Sequence, residues 1–112
     1  MALTDKKLCQ RYGYDSVDPF SEGLARTCKD GQEFHIRPDG KPAYEERYDY
    51  VGPFFDGLAR VSKDDQEFHI KPNGEPAYRK RYDSVSPFSG GLARVSKDGQ
   101  QFHIGPDGTK VE

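Results

Sequence analysis

The chain is poor in the features that announce most functions. Nowhere do eighteen apolar residues follow one another, so no membrane-spanning helix is expected. Its first ten residues, "MALTDKKLCQ", hold neither the seven-residue apolar run nor the small-residue cleavage site of an export signal. A soluble, unexported chain of the cytoplasm is the expectation. Cysteine is scarce: two residues, Cys9 and Cys28, are too few for the disulfide framework of a small secreted domain, and reduced thiols follow. Charge is not segregated either. The 17 Lys and Arg mix with 19 Asp and Glu to a net charge of -2, and no block of five or six like charges occurs. This balance argues against nucleic acid and membrane surfaces as partners. Catalytic signatures are missing as well: there is no G-x-S-x-G, no H-E-x-x-H and no phosphate-cradling glycine loop. No catalytic residue, metal or cofactor is therefore assigned, and the chain is expected not to be an enzyme. Leu, Ile, Val and Phe make up about a fifth of the 112 residues, near the level of disordered chains. Disorder also calls for a large net charge, which is absent, so a single folded domain over 1–112 with a modest core is expected.

What the chain has is repetition. Tyr14, Tyr48 and Tyr82 are spaced by 34, as are Phe20, Phe54 and Phe88, and the Leu-Ala-Arg triplets that begin at Leu24, Leu58 and Leu92. Units run over about 5–38, 39–72 and 73–106, with 107–112 as the start of a fourth. Units two and three agree at roughly two thirds of their positions, while the first has drifted at its start. Cys9 stands where the later units have Ala43 and Ala77, and Cys28 where they have Ser62 and Ser96, which marks both cysteines as substitutions at small-residue sites.

Each unit reads as short strands and tight turns. "GLARTCK" is followed by Asp30-Gly31 and "QEFHI", and "GLARVSK" by Asp98-Gly99 and "QQFHI". Asp-Gly between strand-like runs predicts a type I′ hairpin, whose central residues both need positive φ. The second unit has Asp64-Asp65 there, a turn less favourable by about 1 kcal/mol because Asp enters the left-handed region less readily than Gly. The next turn, "RPDGK", "KPNGE" or "GPDGT", presets φ with Pro and gives Gly the left-handed place. It leads into a fourth strand-like run, "PAYEERY" or "PAYRKRY". In "YDSVDPF" and its equivalents, Pro limits the segment to an edge strand or an irregular connection.

Alternation along "EFHI" sets Phe68 and Ile70 on one face and Glu67 and His69 on the other; in "LARVSK", Ala59 and Val61 oppose Leu58 and Arg60. Neither face is purely polar, as expected of a repeat too small to bury its own core. The predicted class is all-β: three tandem 34-residue antiparallel meanders, each like a propeller blade, closed by oligomerisation or left as an open stack. A pseudo-threefold β-trefoil is the alternative, because three units close it without a partner.

The pattern "YDxVxPFxxGLARVxKDGQxFHIxPDGxPAY", running from Tyr14 to Gly108, resembles the WG repeat, a bacterial tandem module. The naming tryptophan is replaced by Glu33, Glu67 and Gln101, and the glycine after it by Phe34, Phe68 and Phe102, so the resemblance is to a variant lacking the Trp-Gly pair. It implies an all-β scaffold that mediates protein interactions and brings no catalytic residues.

Several repeated positions are candidates for binding. His35, His69 and His103 are equivalent, and three imidazoles converging on an axis are a known zinc set. With one imidazole per unit and no Cys or Asp at ligand spacing, a lateral hydrogen bond on a strand surface is the expectation instead. Arg26, Arg60 and Arg94 are expected to pair with Asp15, Asp49 and Asp83 in a ladder, or else to face an acidic partner or carboxylated sugar. Tyr44 and Tyr78, with Tyr48 and Tyr82, are expected as packing, with a binding surface as the alternative. An interaction scaffold, homo-oligomeric or with a protein partner, is the function these features suggest; a multivalent carbohydrate or small-ligand module is the alternative.

Overall fold

The computed structural model describes residues 11–111. Ten strands form three antiparallel sheets, one per repeat. The first holds β1 (Ser16–Val17), β2 (Ala25–Lys29) and β3 (Gln32–Ile36). The second holds β4 (Tyr50–Phe55), β5 (Leu58–Lys63) and β6 (Gln66–Ile70). The third holds β7 (Ser84–Val85), β8 (Ala93–Lys97) and β9 (Gln100–Ile104), with β10 (Lys110–Val111) at its edge. The protein is all-β and built of tandem repeats, in a body of 46 × 26 × 18 Å. Among the described residues no strand pairing links the first sheet to the third, as closure into a threefold barrel requires. No described helix is long and apolar enough to cross a membrane. Cys9 and the start of the first unit lie outside the described residues.

The turns follow from their residue types. Asp30-Gly31 and Asp98-Gly99 have positive φ at both positions, and Asp64-Asp65 is held in the same shape with φ of 54° and 65°. A second I′ turn per unit joins the proline segment to the following strand, through Glu22-Gly23, Asp56-Gly57 and Gly90-Gly91. The proline segment is thus the edge strand of its sheet, with Pro53 in the interval where the β4–β5 register shifts. That position is one where a missing N–H is tolerated.

The run "PAYEERY" is a correction: it is not a strand. Its two ends each make a single bridge to β3, Ile36 with Pro42 and Glu33 with Tyr48, and the residues between them bend away. Arg47 curls this segment, its Nη1 donating to the carbonyls of Tyr44, Glu45 and Glu46 at 3.1, 2.9 and 3.0 Å. Arg81 gathers the carbonyls of Tyr78, Arg79 and Lys80 in the same way. Both guanidinium groups lie over a phenylalanine of the preceding strand, Phe34 at 3.9 Å and Phe68 at 3.8 Å. Three carbonyls converging on one cation compete successfully with the ladder a straight strand would offer.

The sheets stack face against face. Cross-strand register sets Ala59 opposite Ile70 and Val61 opposite Phe68 on one face, and Arg60 opposite His69 on the other. The apolar face is buried, with Val61 and Ile70 fully so. A layer of aromatic rings lies between one sheet and the next: Tyr44 meets Tyr48 edge-on, and Tyr48 meets Phe68 of the second sheet. The same run returns as Tyr78, Tyr82 and Phe102. Gly74 presses its backbone onto Tyr44; a Cβ there would come within 2.5 Å of the tyrosine Cβ and Cγ. At this place glycine is required by both the contact and its φ of 88°.

Replacing Asp65 by Gly, in the turn that lacks its glycine, is expected to raise stability by about 0.5–1 kcal/mol in urea unfolding. An unchanged midpoint would show that Asp65 is no burden at a φ of 65°.

Candidate functional site: the seams between repeats

The histidines are the most informative side chains, and their position differs from expectation. His35 and His69 are 0% exposed, not on a strand surface. Alternation correctly placed each opposite the Phe and Ile of its strand, but that second face is covered by the next repeat. His35 Nε2 lies 2.7 Å from the carbonyl oxygen of Gly52, and its Nδ1 lies 2.6 Å from the Tyr44 hydroxyl. A carbonyl can only accept, so Nε2 carries the proton, Nδ1 is bare and the tyrosine donates to it. His69 repeats the arrangement with the Ser86 carbonyl at 2.8 Å and the Tyr78 hydroxyl at 2.6 Å. Phe54 and Phe88 cap the two imidazoles, with ring centroids 4.5 and 4.4 Å away.

Burial dominates the titration of these groups. It lowers His35 to about 4 against the opposing effect of its bond to Gly52, and Arg26 lowers it further. His69 falls to about 4 for the same reason, with Arg60 as the nearby cation. Desolvation also pushes the Tyr44 and Tyr78 hydroxyls well up, and holds Tyr48 at about 12. At neutral pH each seam therefore contains a neutral imidazole and a neutral phenol, both satisfied. Tyr44 and Tyr78 are packing residues in this arrangement, as are Tyr48 and Tyr82. His103, by contrast, is exposed. The three imidazoles do not meet: each lies on its own sheet, and no group of three His, Cys, Asp or Glu side chains able to hold a metal gathers among the described residues.

The expected ladder from arginine to Asp15, Asp49 and Asp83 is also corrected. Asp49 and Asp83 accept from the backbone N–H of Asp64 and Asp98, at 3.1 and 2.9 Å, and so brace the hairpin turns. Arg26 pairs instead with Asp18 at 2.8 Å and approaches Glu33 at 3.7 Å. Glu33 and Glu67, at the family's tryptophan position, accept from the N–H of Val51 and Val85 and so join one repeat to the next. Their spacing made them equivalent in the sequence, yet no pattern marked them as seam bonds. The arginines line one side of the body. Arg26 and Arg60 flank the Tyr50 ring at 5.7 and 5.0 Å, and Arg60 Nη2 donates to the Tyr50 hydroxyl at 3.1 Å. Arg94 is exposed.

Stacked sheets joined by buried polar staples define a tandem all-β repeat protein. The family model described as "WG containing repeat" matches residues 13–32, 36–66 and 70–100, most of the chain, and the protein belongs to that family. No curated protein and no solved structure matches the chain.

Stability is expected to be flat between about pH 7 and 9 and to fall as pH drops from about 6.5 toward 4. In that window the unfolded imidazoles take up protons that the folded ones refuse, since the folded values are depressed. Each buried histidine contributes a slope of up to about 1.4 kcal/mol per pH unit, read from urea midpoints across pH. His69→Gln should remove about half of that slope. A second test is a mutant cycle: His69→Phe, which strips partners from Tyr78 and from the Ser86 carbonyl, should cost about 2–4 kcal/mol. Adding Tyr78→Phe should then cost less than it does alone, with a coupling of about 1–2 kcal/mol.

Proposed function

We propose that the chain is a non-catalytic scaffold that assembles by docking one repeat onto the next, between copies as within a copy. The observation that supports this is a set of coordinated departures on the outer face of the third unit. His103 is exposed where His35 and His69 are buried, and Phe102 is half-buried where Phe34 and Phe68 are buried. Leu92 is 40% exposed where Leu58 is 8%. The complementary parts are on the first unit: Val17 and Phe20 are half-buried where Val51 and Phe54 are fully buried. The Asp18 carbonyl occupies the place of the Gly52 and Ser86 carbonyls that receive the two buried histidines. Gln101, in the place of Glu33 and Glu67, keeps an oxygen able to accept from the N–H of Val17 in a second copy.

The occupant this face fits is thus the first unit of another molecule. Because the two surfaces are different patches, the contact is head-to-tail, and it yields a ring or a filament according to its rotation. Avidity for a protein partner would follow from the repeated display.

The test is the mass of the 112-residue protein in solution at micromolar concentration, by sedimentation or mass photometry. A concentration-dependent oligomer is expected, weakened at least tenfold by Leu92→Asp, a change that an already exposed position tolerates within the monomer. A monomer at every concentration, or an oligomer indifferent to Leu92→Asp, overturns the reading.

A further inference from the structure

The two seams are built alike but differ beside the arginines. Between the first and second repeats the Tyr50 ring fills the space flanked by Arg26 and Arg60. The positive charge there is balanced by Asp18 and Glu33 at Arg26. Between the second and third repeats the ring and the aspartate are gone. Ser84 stands in place of Tyr50 and Gly52 in place of Asp18; Glu67 keeps the place of Glu33 but is bound to the Val85 N–H, and around Arg94 the same two places hold Ser86 and Gln101. What remains is a cleft of about 260 Å3 flanked by Arg60 and Arg94 and lined by no carboxylate.

Its lining side chains carry positive charge and hydroxyl and amide groups, and no negative charge. Arg60 holds the Val85 carbonyl at 3.3 Å with one nitrogen, which fixes its plane at the edge of the cleft. Arg94 has no side-chain hydrogen bond or ion pair among the described residues, and its guanidinium keeps its five donors. The Ser84 and Ser96 hydroxyls and the Gln101 amide add donors around the same space, over a floor that includes the buried Val85. Paired guanidinium groups with hydroxyl donors and no acid suit an oxyanion, bound by charge-assisted and bidentate bonds. The second requirement comes from the neighbouring seam. There a six-membered ring bearing an oxygen is the natural tenant of the equivalent space, and a cavity of about 150 Å3 is already enough to hold benzene.

The geometry points to a ligand site in this cleft for an aryl oxyanion, a ring carrying a carboxylate or a phosphate. The ring lies between Arg60 and Arg94 as Tyr50 lies between Arg26 and Arg60, and the anionic oxygens take the donors of Arg94, Ser84 and Ser96. The cleft is formed within one chain but borders the docking face, since Arg94 lies across from His103 and Gln101 lines the cleft; the titrations are therefore also made on Leu92→Asp, which separates failure of this site from failure of the self-association reading.

The experiment is a titration of the 15N-labelled protein, followed by NMR, with four probes: phenyl phosphate, benzoate, inorganic phosphate and phenol. Saturable shifts confined to the residues of the cleft are expected with one or both aryl anions, and their relative strength tells a phosphate ligand from a carboxylate one. Inorganic phosphate should bind at least tenfold more weakly, and phenol should not saturate. Two variants locate the site. Ser84→Tyr restores the internal tenant at a position where the second repeat already accommodates it, and should abolish binding with the fold intact. Arg94→Gln should weaken the aryl anion at least tenfold, and added salt should weaken it in the wild type. Inorganic phosphate binding as tightly as phenyl phosphate overturns the aromatic part of the proposal. Saturation by none of the probes, or binding unchanged in folded Ser84→Tyr, overturns the site altogether.

Discussion

A neutral imidazole with both nitrogens satisfied holds one repeat to the next, and the rest of the molecule is arranged around it. Burying an imidazole without partners would cost several kcal/mol, so the seam is stable only when both bonds form. The two partners come from different places. Tyr44 arrives on the bent segment that leaves the histidine's own sheet, while the Gly52 carbonyl belongs to the edge strand of the following sheet. The bond set therefore closes only after the second sheet is seated. This makes neighbouring repeats depend on each other in the manner of a one-dimensional array, with cooperativity carried by specific polar contacts as well as by apolar area. The glutamates at the family's tryptophan position act alongside, since Glu33 and Glu67 reach the N–H one residue before the carbonyl that the histidine uses. The chain has no tryptophan, and the bonds of these two glutamates cross the seam.

The bent segment shows how the aromatic layer is held without a fourth regular strand. A straight strand would alternate its side chains to the two faces, sending Tyr44 and Tyr48 to the same side but out of register with both sheets. By drawing three carbonyls together, Arg47 shortens the path and lets Tyr44 reach His35 while Tyr48 meets Phe68. The glycine turn of the next unit then seats on the tyrosine, and the Tyr48 hydroxyl donates to the Gly74 carbonyl at 3.0 Å. In the third unit this series breaks: the Tyr82 hydroxyl is buried with no hydrogen-bond partner among the described residues, although its ring still packs on Phe102. Repetition of sequence is closer than repetition of bonding, and the differences concentrate around the third unit.

Much of the fold was legible beforehand. The period of 34, the I′ turns at Asp30-Gly31 and Asp98-Gly99, the glycine turn after each proline and the edge position of the proline segment follow from local backbone chemistry. The site was less legible. Alternation told correctly that His69 opposes Phe68 and Ile70, but it could not tell that both faces are covered, because what covers the second face lies on another repeat. The same limit explains the arginine ladder. Asp49 is as near in sequence to Arg60 as Asp15 is to Arg26, yet its carboxylate turns to the hairpin N–H of Asp64. The straight strand expected at "PAYEERY" failed because nothing in its composition distinguishes Arg47 facing water from Arg47 folded onto its own carbonyls.

The amino-acid sequence by itself determined an all-β chain of three equivalent units and the positions of its turns. These depend on φ preferences and on side-chain alternation over a few residues, and such short-range constraints act before any long-range contact exists. Only the tertiary structure decided which histidines are buried, which tyrosines receive them, and which pair of arginines is left with open space between them. Each of those outcomes requires groups on separate segments to meet, the histidines and tyrosines 9 residues apart and the histidines and carbonyls 17 apart, and that is set by the bending of the linking segment and the stacking of whole sheets.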